Sequence, residues 1–108
     1  MTLKTTNINH KDKTKEIDFY YEKLISDLNF PFDVRVIDSE GENIIAGDMV
    51  TAISVNNYFE LYGVLLDVKK GKKRFVVPLC DIEVIDKRSK NAKVIKLFLE
   101  WWWNLSAR

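Results

Sequence analysis

The carboxylates between Asp38 and Glu42 are the first residues in this chain whose types and spacing suggest chemistry. Asp38, Glu40 and Glu42 alternate with Ser39 and Gly41, so three hard oxygen donors can turn toward one point on a flexible backbone. Calcium takes about six to eight such oxygens, several of them carboxylates. The segment lacks the EF-hand loop pattern, so a site here would be of another kind. A solvated acidic turn has the same composition and is the plainer reading. A second acidic group is Asp81 and Glu83, with Asp86 beyond. Asp81 follows the turn at Pro78, and Glu83 faces away from Ile82 and Val84 on a short strand. Its plainer reading is a turn-capping aspartate and a surface glutamate. Metal binding requires Asp81 and the Asp38 turn to converge.

Lys69, Lys70, Lys72, Lys73 and Arg74 surround Gly71 and form a basic hairpin tip. Such a tip can contact the phosphates of a nucleic acid. The same lysines would also keep a hairpin soluble and guard a sheet edge. Lys87, Arg88, Lys90 and Lys93 extend the patch only if the fold brings them near. The net charge of +1 supplies no global field to steer a polyanion.

Trp101, Trp102 and Trp103 are consecutive. On a helix they point about 100° apart, so they cannot all face one core. One or two cover the core and at least one is left for an interface, where tryptophan is a common anchor. Tyr58 and Phe59, at a loop tip, could join Trp101 and Trp103 in an aromatic surface for a protein partner or a second copy. Otherwise they fold back onto the sheet.

Cys80 is the one cysteine and His10 the one histidine. A nucleophilic cysteine needs a base, usually histidine, and His10 lies in a polar leader. The pair also falls short of a zinc ligand set. Cys80 therefore reads as a small buried filler. No phosphate-binding glycine loop, nucleophile elbow or dinucleotide fingerprint is present. The chain reads as a non-enzymatic protein.

These groups must be positioned by a modest frame. A length of 108 residues fits one domain, and 46% hydrophobic with 31% charged residues is a globular balance rather than a disordered one. A lone cysteine suits a reducing compartment. The leader has no apolar signal segment and no apolar run is long enough to span a bilayer, so the cytoplasm is the expected location. Residues 1–13 are expected to be a flexible leader, and 14–105 one domain. Ile17, Tyr20, Tyr21, Leu24, Ile25 and Leu28 recur at helical spacing over 14–28, before Pro31 forbids continuation. Strands are expected at 32–37, 49–55, 61–69, 74–77 and 82–85, with Asn56-Asn57 breaking the second and Pro78 ending the fourth. Ser89 can cap a last helix with Val94, Ile95, Phe98, Leu99, Trp102 and Leu105 on its apolar face. The expected fold is α+β, mainly β: a small SH3-like five-stranded antiparallel barrel flanked by N- and C-terminal helices.

The ordered stretches Asn29-Phe30-Pro31-Phe32, Ile45-Ala46-Gly47-Asp48-Met49-Val50 and Val76-Val77-Pro78-Leu79-Cys80-Asp81-Ile82-Glu83 resemble the small bacterial calcium-binding family first described in cyanobacteria, the CcbP-like proteins. Ser89–Trp103, with Asn91, Ile95 and its tryptophans, is similar to that family's last helix. Where the family carries an acidic segment between its second and third strands, this chain reads Val55–Leu61 with a single carboxylate. The resemblance implies calcium binding or calcium sensing, with Asp38, Glu40 and Glu42 as principal ligands and Asp81 and Glu83 as secondary ones. The alternatives are a protein-interaction module, binding or inhibiting a partner, that keeps the fold without metal, and a nucleic-acid-binding barrel.

Overall fold

The structure is a computed structural model that describes residues 16–39, 41–59 and 62–106. The expected leader and Glu40 lie outside the described residues. Helix α1 covers residues 16–27, and five strands follow: β1 (Phe32–Val36), β2 (Met49–Phe59), β3 (Gly63–Lys70), β4 (Lys73–Pro78) and β5 (Ile82–Val84). A 3-10 turn, η1 (Leu79–Asp81), joins β4 to β5, and helix α2 (Lys90–Ser106) closes the described chain. The strands form one antiparallel sheet in the order β4-β3-β2-β1-β5. Five antiparallel strands between two helices are as expected from the sequence.

The sheet is strongly curled, and one short link shows why. β4 and β5 are its two edges, about 19 Å apart if five strands lay flat. Only η1 separates them in sequence, and the step from Pro78 to Ile82 covers at most about 14 Å even fully extended. The edges must therefore bend toward each other. Among the described residues no ladder joins β4 to β5, so closure of the expected barrel is not carried by strand pairing. Leu79 on η1 is completely buried and fixes the link to the core. Truncating such a side chain to alanine costs about 2–5 kcal/mol.

Alternation along the strands builds the inner face. Val34 and Val36 on β1, Val50 and Ala52 on β2, and Val64, Leu66 and Val68 on β3 are buried at every second position. β2 differs from the expectation: Asn56-Asn57 does not end it. The register against β3 shifts between Ala52 and Ser54 and between Val55 and Asn57, which marks bulges that bend the strand. Asp67 holds them, accepting from Ser54 Oγ at 2.8 Å and from Asn56 Nδ2 at 2.9 Å. The asparagines are thus bulge residues in a longer strand.

The helices cover the concave side. Ile17, Leu24 and Leu28 of the α1 segment, and Ile95, Phe98 and Trp102 of α2, enter the core. Tyr20 stacks on Trp101 at 4.6 Å between ring centres, which seats one helix on the other. Ile25, expected on the apolar face, is exposed instead, as is Phe19. Ser89 caps α2 as expected, its Oγ accepting from the Ala92 amide at 3.1 Å. Asn91 is buried and clamps the end of the first helical segment. Its Oδ1 accepts from the Asn29 amide at 2.8 Å and its Nδ2 donates to the Asn29 carbonyl at 2.9 Å.

That clamp gives a test. Asn91→Ala leaves a backbone donor and acceptor of residue 29 without partners, and should cost about 2 kcal/mol in urea unfolding. Asn29→Ala, which leaves the clamped backbone in place, should change the midpoint little. Equal losses in the two variants would contradict the clamp.

Candidate metal centre

The acidic segment lies in the loop between β1 and β2, residues 37–48, and the loop is pinned from several sides. Ile44 is buried and anchors its middle. Ser39 Oγ donates to the Ile44 carbonyl at 2.6 Å and accepts from the Gly41 amide at 3.1 Å, which folds the acidic part into a tight arc. Gly47, at φ +98°, lets the chain turn back so that its amide reaches the Val36 carbonyl at 2.7 Å. Asp48 accepts from the Ile45 amide at 3.0 Å and from Lys70 Nζ at 2.7 Å, and the same ammonium reaches the Asn43 carbonyl at 3.0 Å. Bonding first to Lys70 and then to the Ile45 amide holds the Asp48 carboxyl below its ordinary value of 3.8.

The contact that places the loop comes from η1. The Asp81 carbonyl accepts from the Ile37 amide at 2.8 Å and from the Asp38 amide at 3.4 Å. Asp38, Glu42 and Asp81 consequently line one hollow of about 370 Å³, with Asn43 beside them and Tyr62 and Phe75 in its wall. Asp81 and the Asp38 turn thus border the same hollow. Glu83 does not share it. It sits opposite Arg35 in the β1–β5 ladder, and the two side chains form an ion pair at 3.3 Å. The register of β1 on β5, rather than local sequence, sets Glu83 beside Arg35.

The donor types suit calcium: carboxylates, a side-chain amide and loop carbonyls are hard oxygens on an exposed loop. Their separation does not give a ready-made cage. Among the described residues, no three His, Cys, Asp or Glu side chains stand close enough to hold a metal ion together. Asn43 was not among the residues singled out from the sequence, because an asparagine in an acidic turn carries no ligand signal of its own.

Cys80 borders this region. Burial first, then the neighbouring Asp81 carboxylate, push its thiol up to about 11, and its Sγ donates to Asp81 Oδ1 at 3.7 Å. A thiol so disposed is a poor nucleophile.

The other candidate residues lie outside this hollow. Tyr58 donates its hydroxyl to Asp18 and packs on Tyr21, and that bond to a carboxylate raises the phenol above its ordinary range. Trp101 donates from Nε1 to Glu16 at 2.7 Å. Both side chains are engaged with α1. Phe59 and Trp103 remain exposed, and Trp103 borders a groove that none of the other three lines. Of the basic tip, Lys70 is committed to the loop. Lys69, Lys72, Lys73 and Arg74 are exposed. Lys87 to Lys93 follow β5, where the Ile85 amide bonds to the Asp33 carbonyl and Asn91 to Asn29.

Fold and loop together define a small antiparallel-sheet domain in which three carboxylate residues border one largely apolar hollow. A family model described as calcium binding, Calci_bind_CcbP, matches residues 5–103, and the chain belongs to that family. It is similar in fold to the crystal structure of Anabaena CcbP, with a TM-score of 0.68 at 22% identity over 83% of this chain and 76% of that one. No curated protein matches it. No helix among the described residues is long and apolar enough to cross a membrane.

Two outcomes check this geometry. With a thiol at about 11, only on the order of a thousandth of Cys80 is thiolate at pH 8. Alkylation of the folded protein should be slow and should speed up strongly in urea; equal rates would contradict the raised thiol pKa of the half-buried side chain. Lys70→Met should raise the Asp48 carboxyl toward 3.8 in an NMR titration. Because the folded value is depressed, what this tie adds to stability is present above that ordinary value and is lost as pH falls through the folded one.

Proposed function

We propose that this protein is a non-enzymatic calcium-binding protein whose site is the hollow between the β1–β2 loop and η1. The observation that carries the proposal is the pair of amides, Ile37 and Asp38, bonded to the Asp81 carbonyl, which bring the two acidic segments of the chain to one place. Membership of a calcium-binding family supports the choice of ion.

Asp38, Glu42 and Asp81 would hold the ion, with loop carbonyls and the Asn43 side chain adding neutral oxygens. When bound, calcium supplies the charge that relieves repulsion among these carboxylates. The chain supplies fixed ends for a movable middle. Ile44 and the Lys70–Asp48 pair hold one side of the loop, and the Asp81 carbonyl holds the other. The acidic arc between them can close without disturbing the sheet. Few carboxylates and no preformed cage place the affinity in the weak class, with Kd on the order of 0.1–1 mM. Sensing, as distinct from binding, follows if this closure changes what the loop offers a partner.

Calorimetry on metal-free protein tests the proposal. Calcium should bind with an affinity of that order, and Asp38→Asn and Asp81→Asn should each weaken it about tenfold or more. Glu83→Gln, which touches only the Arg35 pair, should leave it unchanged. Absence of any heat or spectral response at roughly 10 mM calcium would remove the proposal.

A further inference from the structure

A groove of about 700 Å³ runs along α2 on the side of β5. Its floor is apolar, with Val84, Ile95 and Leu99 among its residues, and Trp103 and Ile37 stand beside it, each about half exposed. Ala92, Ile95, Lys96, Leu99 and Trp103 fall on one helical stripe at spacings of three and four. The stripe has a direction. Its N-terminal end carries the small Ala92 and its C-terminal end the bulky Trp103. Near the middle lie a cation, Lys96, and an anion, Glu100, one turn apart. Both are exposed, and neither belongs to the ion pairs found among the described residues, Lys23–Asp27, Arg35–Glu83 and Lys70–Asp48.

We propose that this groove is the interface of a homodimer, in which α2 of one copy lies antiparallel along α2 of the other about a twofold axis. A twofold contact requires one patch to complement itself, so that residue i meets residue j and residue j meets residue i. This stripe meets that requirement in both size and charge. Antiparallel pairing about the middle of the stripe sets Trp103 over the partner's Ala92, a large side chain over a small one. The same pairing brings Glu100 toward the partner's Lys96, and Lys96 toward the partner's Glu100. A parallel arrangement would instead set tryptophan on tryptophan and like charges together. A polyanion or a strongly acidic peptide would meet Glu83 and Glu100 as well as Lys87 and Lys96 along the groove, and gains no consistent attraction. Trp103 is the expected anchor, as a rigid aromatic entering an apolar recess. The dimer does not depend on calcium.

Sedimentation velocity of the full chain over a wide concentration range tests the proposal. The wild type should sediment as a dimer at high concentration. Lys96→Glu alone and Glu100→Lys alone should each dissociate it, because each places like charges across the twofold. Mixing the two variants in equal amounts should restore dimers, since each supplies the charge the other lacks. Trp103→Ala should shift the midpoint of association at least tenfold toward higher concentration. All these positions are solvent-exposed, and an unchanged thermal melt of the isolated variants confirms that they fold. A wild type that stays monomeric throughout, whether because the groove serves a different partner or none, overturns the proposal. So does a dimer that both charge reversals leave intact.

Discussion

The link between β4 and β5 is the constraint on which most of this structure depends. Three residues, Leu79 to Asp81, connect strands at opposite edges of the sheet. A flat sheet cannot accommodate so short a connection, so the strands curl around one apolar centre. The concave side that results is what α1 and α2 cover. The bulges of β2, held by Asp67, supply part of the bend. Leu79 seals the link from inside. The Asp81 carbonyl extends it outward, because the chain leaving β1 bonds to it through two amides. The same short segment therefore shapes the core and brings the acidic loop to its place.

This arrangement explains a division within the molecule. The sheet and helices are tied by buried valines, leucines and stacked aromatic rings. The acidic arc is held by a few polar bonds, from Ser39 to Gly41 and Ile44 and from Lys70 to Asn43 and Asp48, and by the Asp81 carbonyl and buried Ile44. An ion-binding loop needs this combination, since hard-oxygen ligands must move onto the metal while the frame stays fixed. The Cys80 thiol beside it is half-buried, and that burial with the Asp81 carboxylate favours its protonated form.

Much of the frame was legible in the sequence because its signals are local. Helical spacing located α1 and α2, Ser89 announced its cap, and alternating valines marked β1 and β3. Pro78 and Gly71 marked the limits of β4. The errors arose where distant residues decide the outcome. Asn56-Asn57 reads as a strand break, yet Asp67, eleven positions from Asn56, converts the pair into a bulge. Ile25 fits the helical period but faces solvent, because Tyr20, Tyr21 and Leu24 already fill the space beneath α1. The candidate ligands divide in the same way. Asp38 and Glu42 stand in one turn and could be named together. That Asp81 borders the same hollow while Glu83 faces Arg35 depends on the pairing of β1 with β5, and no local pattern encodes that register.

Residue-resolved amide NMR during a calcium titration tests the central claim most directly. Calcium at this hollow should shift the amides of residues 37–48 and of Leu79 to Asp81, and should leave Arg35, Glu83 and the α2 stripe nearly unmoved. Shifts centred on any other part of the chain, or none in the loop at saturating calcium, would contradict it.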